Sequence, residues 1–227
     1  MNTANLAQSR DVMCGRMHVY GLLARLFRVE IDDGFLESLK TSEILEADDA
    51  LPSNLGHGIG LMRGYLASPA ASSLDLARDY AKVFCGASST NKTAAYPFES
   101  VYTSEKGLLM QEARDDALGW YHRFGLGKSA EWHDCEDHLA LELEFLAFLI
   151  NESIEVLDVG NIPEVERFIQ AQKDFMESHL INWVPLFAEK VIRFAKTDFY
   201  KGLASFAVAY LDQDYSALIE DEDPAWI

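Results

Sequence analysis

Positive charge is what this chain has least of: 19 Lys and Arg stand against 37 Asp and Glu, a formal net charge of -18 over 227 residues. A surface of that sign repels phosphate backbones and anionic headgroups, which argues against nucleic acid and favours partners carrying Lys and Arg. Cysteine is scarce as well. Cys14, Cys85 and Cys135 are odd in number, far apart and never spaced C-x-x-C. Neither a disulfide framework nor a structural zinc site is predicted, and a reducing cytoplasm is the expected compartment. Long apolar runs are missing too: the longest, Phe145 to Ile150, is far too short to span a bilayer. The first residues lack the basic-then-apolar pattern of an export signal, so a cytoplasmic protein with no stable membrane insertion is expected. No G-x-S-x-G elbow, Gly-rich phosphate loop or internal repeat is present, and no stretch alternates with a strand's period of two.

What is there is helical periodicity, and an all-α bundle is predicted. Met13, Met17, Tyr20, Leu23 and Phe27 recur at helical spacing, with a second stripe at Val12, Val19, Leu22 and Leu26, so the helix over 9–27 is expected to be buried on more than one side. Shorter helices are predicted over 34–40 and 54–66. Ser72 with Asp75 resembles a capping box opening a helix to about Phe84. Helical spacing returns over 105–124, with Gly125 placed as a C-cap. Asp134 is the expected cap of a central helix reaching Leu157, apolar on two faces through Leu139, Leu143, Leu146 and Ile150 and through Leu141, Phe145 and Phe148. Pro163 opens a further helix. After a break at Trp183 to Pro185, helices to Ala195 and over 198–215 complete the chain, with an acidic, frayed end expected at 220–223.

Two features stand out from this pattern. Between Cys85 and Thr103 the period is lost, yet Tyr96-Pro97-Phe98-Glu99-Ser100-Val101-Tyr102 is too aromatic for a plain solvated loop. It either packs on the core or receives a partner. Between Lys128 and Arg167 there is no Lys or Arg but there are eleven acidic residues, so a negative potential attractive to a basic peptide is expected there. As single residues these groups have ordinary roles. Glu136 and Asp137 suit a first helical turn, Glu142 and Glu144 a solvated edge, and His138 a structural hydrogen bond. For a metal, no histidine follows a Glu by three residues, and His138 with Glu142 supplies only two ligands unless His133 or Cys135 joins them. No catalytic residue, cofactor or metal is assigned; a helical metal-dependent hydrolase using His133, His138 and Glu142 is the alternative from another class.

Taken in order, these elements resemble the TorD/DmsD family of redox-enzyme maturation chaperones. The resemblance is carried by Leu22-Leu23-Ala24-Arg25-Leu26-Phe27, by Asp79 to Gly86, by Tyr96 to Tyr102, by Tyr121 and Phe124-Gly125-Leu126, by Asp137-His138-Leu139 with Glu142 to Phe145, and by His179-Leu180 with Trp183 and Pro185. It spans about Tyr20 to Tyr210. The chain differs in having Cys135 where the family commonly has proline, and no proline after Gly86. The resemblance implies a single-domain bundle of about nine helices, with a hinge between N- and C-terminal parts roughly at 125–136. It also implies a non-enzymatic chaperone that binds the twin-arginine signal peptide and apo form of a molybdopterin oxidoreductase subunit, assisting cofactor insertion and delaying export. The leader-binding residues it implies are Tyr96, Pro97, Phe98, Ser100, Tyr102, Asp137 and His138, in a monomer or homodimer. Within the same fold, a nitrate-reductase-type assembly chaperone for a non-exported subunit is the alternative.

Overall fold

In the computed structural model, residues 3–42, 52–87 and 94–220 are described. Among them the regular structure is entirely helical, in ten helices: α1 (Thr3–Arg28), α2 (Asp33–Lys40), α3 (Ser53–Leu66), α4 (Ser73–Val83), the single turn α5 (Ser100–Thr103), α6 (Glu112–Arg123), α7 (Leu139–Asp158), α8 (Ile162–His179), α9 (Val184–Phe194) and α10 (Asp198–Glu220). Residues 88–93 of the aromatic loop segment, and 221–223 of the acidic end, lie outside the described residues.

The chain forms two compact units: one comprises Met1–Arg28, Phe98–Asn182 and Gln213–Ile227, the other Val29–Pro97 and Trp183–Asp212. The segment 125–136 lies wholly within the first, and the chain passes from the second to the first between Pro97 and Phe98. In the first unit α7 is the central helix, packed against α1 and α8. Both apolar faces read in its sequence are used: Leu139, Leu143, Leu146 and Ile150 are buried, as is Phe145, while Leu141 and Phe148 are half-buried. Tyr20 and Arg16 of α1 close on Asp214 of α10, with Arg16 Nε 2.6 Å and Tyr20 Oη 2.5 Å from its carboxylate. Removing one partner of so buried a pair would cost about 3–5 kcal/mol.

In the second unit, α3 and α10 touch backbone to backbone. A Cβ on Gly202 would lie 2.5 Å from the Gly58 carbonyl, and one on Gly58 2.7 Å from that of Gly202, so glycine is required on both helices. Phe84 meets Phe187 and Tyr200 with ring centroids 6.0 and 5.4 Å apart, forming an aromatic core. Gly86 takes a φ of +68°, ending the segment that α4 begins.

The helix predicted from Glu105 starts later, at Glu112. Gly107 and Met110 both adopt left-handed backbone, with φ of 59° and 58°, which breaks the helix that the Leu109 and Ala113 spacing suggested. The central helix likewise begins at Leu139 with His138, not Asp134, as its N-cap.

Candidate functional site

The residues singled out from sequence on either side of the first unit's helices do converge. Phe98 and His138 form an isolated antiparallel bridge, Glu99 N–H donates to the Asp137 carbonyl at 3.0 Å, and Ser100 N–H donates to Asp137 Oδ2 at 2.9 Å. The aromatic loop is thereby clamped to the start of α7, and Asp137 caps α5 where the sequence suggested a first turn of the central helix.

His138 is held between two aromatic rings, with centroids 5.0 Å from Phe98 and 5.2 Å from Trp132. Its Nδ1 accepts from Ala140 N–H at 3.0 Å, which places the ring proton on Nε2. Burial, with the Arg28 charge second, lowers its pKa to about 3. The ring is therefore a neutral cap and not a charged contact for a ligand.

This packing decides which of the seven residues face outward. Pro97, Phe98, Ser100, Asp137 and His138 are buried, and only Tyr96 and Tyr102 are half-exposed. Burial raises the Tyr102 phenol well above its usual range, so it stays protonated at neutral pH. Cys135, in the position where proline is common, is buried; desolvation first and Asp137 second push its thiol up, leaving it unreactive.

The acidic stretch is less bare than its sequence suggested. Glu136 is met by Arg114 at 2.6 Å and Lys128 at 3.5 Å, and the Arg114 hydrogen bond, ahead of desolvation, holds its carboxyl below the usual range. Glu144 is met by Arg28 at 2.7 Å and Asp158 by Arg10 at 3.0 Å. Glu142 is fully buried, correcting the expectation of a solvated edge. It lies with Glu99 and His179, all three buried, so that one ligand-type atom of each falls within 4.8 Å of the others. The hydrolase set is not assembled around His138, whose Nδ1 is occupied by the helix cap, and His133 is exposed.

Sequence reading missed a cleft in the same unit. It has a volume of about 270 Å³, with Trp132, Leu141, Phe145 and Phe148 as apolar walls and Arg28, Lys128, Glu136 and Glu144 as charged lining. Its residues come from α1, the end of α6 with the segment after it, and one face of α7, so no single stretch announces it. The half-buried Leu141 and Phe148, offset from the fully buried α7 stripe, were the available signal.

The cleft thus combines apolar walls with a rim of paired charges. The nitrate reductase delta subunit family model matches residues 48–189, more than half of the chain. The chaperone protein TorD of Vibrio cholerae serotype O1 is 28% identical over 211 residues, covering 90% of this chain and 92% of that protein. TorD of Photobacterium profundum is 32% identical over 149 residues, 66% of each chain. The crystal structure of a putative redox enzyme maturation protein from Archaeoglobus fulgidus shares the fold, with a TM-score of 0.50 at 21% identity, over 87% of this chain and 93% of that one. The chain belongs to the TorD/DmsD family of redox-enzyme maturation chaperones, and it is a chaperone, not an enzyme.

Proposed function

We propose that this chaperone acts in the cytoplasm on the catalytic subunit of a molybdopterin oxidoreductase, binding its twin-arginine leader and apo form until the cofactor is inserted. The observation that carries the reading is the family match, which runs through the loop motif and the start of α7. Support comes from the cleft. A leader with a basic front and an apolar middle is complementary to a groove walled by Trp132, Phe145 and Phe148 and bordered by Glu136 and Glu144. In this reading Tyr102 is a contact, preceded in the chain by Tyr96 and Pro97. Phe98, Ser100, Asp137 and His138 are the frame that holds it in place.

The test is calorimetric titration of the purified chain with the leader peptide and, separately, with the apo subunit. Both are expected to bind, more weakly at high salt, and Tyr102→Ala is expected to weaken leader binding several-fold with folding intact. Failure of both ligands at low salt overturns the proposal. Binding of the apo subunit unchanged by deletion of its leader would instead support assembly of a non-exported subunit.

A further inference from the structure

We propose that Glu99, Glu142 and His179 form a binding site for one divalent first-row transition ion, with Zn²⁺ the best fit, in the interior of the first unit. Three separate elements supply the ligands: the residue before α5, the first turn of α7 and the last residue of α8. A tetrahedral ion with bonds of about 2.0–2.2 Å sets its donor atoms about 3.4 Å apart. The donors present range from the 2.8 Å between His179 Nδ1 and Glu99 Oε2 to a limit of 4.8 Å, so little movement is needed.

The histidine presents Nδ1 to this cluster, 2.8 Å from Glu99 Oε2, while its Nε2 lies 3.1 Å from Asp116 Oδ2. A bound ion would take the place of the proton shared between Nδ1 and Glu99. Phe175 stacks on the ring at 4.9 Å and restricts its rotation.

A separate observation concerns charge. Asp137 is fully buried, and its Oδ1 has no hydrogen-bond partner, although its backbone carbonyl is bonded to Glu99. Glu142, Asp137 and Glu99 all act on the Tyr121 phenol, raising it after desolvation has done so, which places the three carboxylates in one electrostatic neighbourhood. Glu99 and Glu142, gathered with one imidazole in the interior, offer a dication two carboxylates to bind. One nitrogen and two oxygens suit Zn²⁺ better than Mg²⁺ or Ca²⁺, which favour all-oxygen sites. The ion would tie α5, α7 and α8 together and stabilise the unit by mass action.

The experiment is competition between the chelator-stripped full chain and a chromophoric chelator for added Zn²⁺. One equivalent is expected to bind tightly. Glu142→Gln and His179→Asn are each expected to weaken it tenfold or more, and His133→Ala not at all. Wild-type binding no tighter than that of folded Glu142→Gln, or absence of stoichiometric binding, overturns the site. Should Glu142→Gln fail to fold by circular dichroism, Glu99→Gln decides in its place: unchanged affinity overturns the site, and a tenfold loss supports it. Leader binding is a separate titration, so neither result determines the other.

Discussion

Each unit buries a carboxylate near a helix start, and the two are treated in opposite ways. In the second unit Asp79 is saturated: it accepts from Lys196 N–H at 2.9 Å, Thr197 N–H at 2.7 Å and Thr197 Oγ1 at 2.8 Å, fixing the start of α10. In the first, Asp137 accepts one backbone bond through Oδ2 while Oδ1 has none, and Glu99 and Glu142 are buried in the same unit. A satisfied buried charge is architecture, whereas the open Oδ1 of Asp137, with Glu99 and Glu142 buried in the same unit, sets like charges together at a cost in stability.

The comparison breaks most readily at Asp79. Asp79→Ala leaves two backbone N–H groups without their acceptor and is expected to cost about 3 kcal/mol, read as a lower urea midpoint at unchanged slope. Glu142→Gln, which keeps the shape and removes one of several buried like charges, is expected to change stability by less than about 1 kcal/mol without added metal. Equal losses in the two variants would erase the distinction.

A smaller effect concerns His138. Its folded pKa of about 3 lies below the 6.5 of the free side chain. The unfolded chain therefore binds a proton that the folded chain refuses. The sign follows: this contribution is fully present above pH 6.5 and is lost as pH falls through the window from 6.5 towards 3, at up to about 1.4 kcal/mol per unit. His138→Asn keeps a side-chain oxygen for the cap but cannot titrate. Between pH 6.5 and 4.5 the wild type should lose about 2 kcal/mol more than the variant. Parallel stability curves would show that the ring is not held neutral by folding.

How far the sequence could be read follows the same division. Stripes such as Leu139, Leu143, Leu146 and Ile150 obey a local period, so the helices and the central position of α7 were legible. So was the pairing of the aromatic loop with Asp137-His138, though through resemblance, because no local rule joins residues so far apart in the chain. The direction of those side chains was not legible: a Phe-x-Ser motif reads the same whether it faces solvent or its Phe98 packs on His138. Nor was the burial of Glu142, whose neighbours Glu99 and His179 lie on other elements. The acidic stretch misled for a related reason, since its counter-charges Arg10, Arg28 and Arg114 come from α1 and α6, outside the window in which charge was counted.

Arg28 turns that last point into the finest of the tests. Its guanidinium lies 2.7 Å from Glu144 Oε1 and 5.1 Å from the Trp132 ring centroid, the position at the cleft that a leader arginine would seek. With both side chains about 40% exposed, the pair is a weak one, and its loss should scarcely affect stability. If a leader arginine competes for Glu144, Arg28→Gln removes the internal competitor and should tighten leader binding about threefold at low salt, with the gain fading as salt rises. Weaker binding in the variant would mean that Arg28 itself contacts the leader, and the basic end of the peptide would then have to be placed at carboxylates away from this cleft.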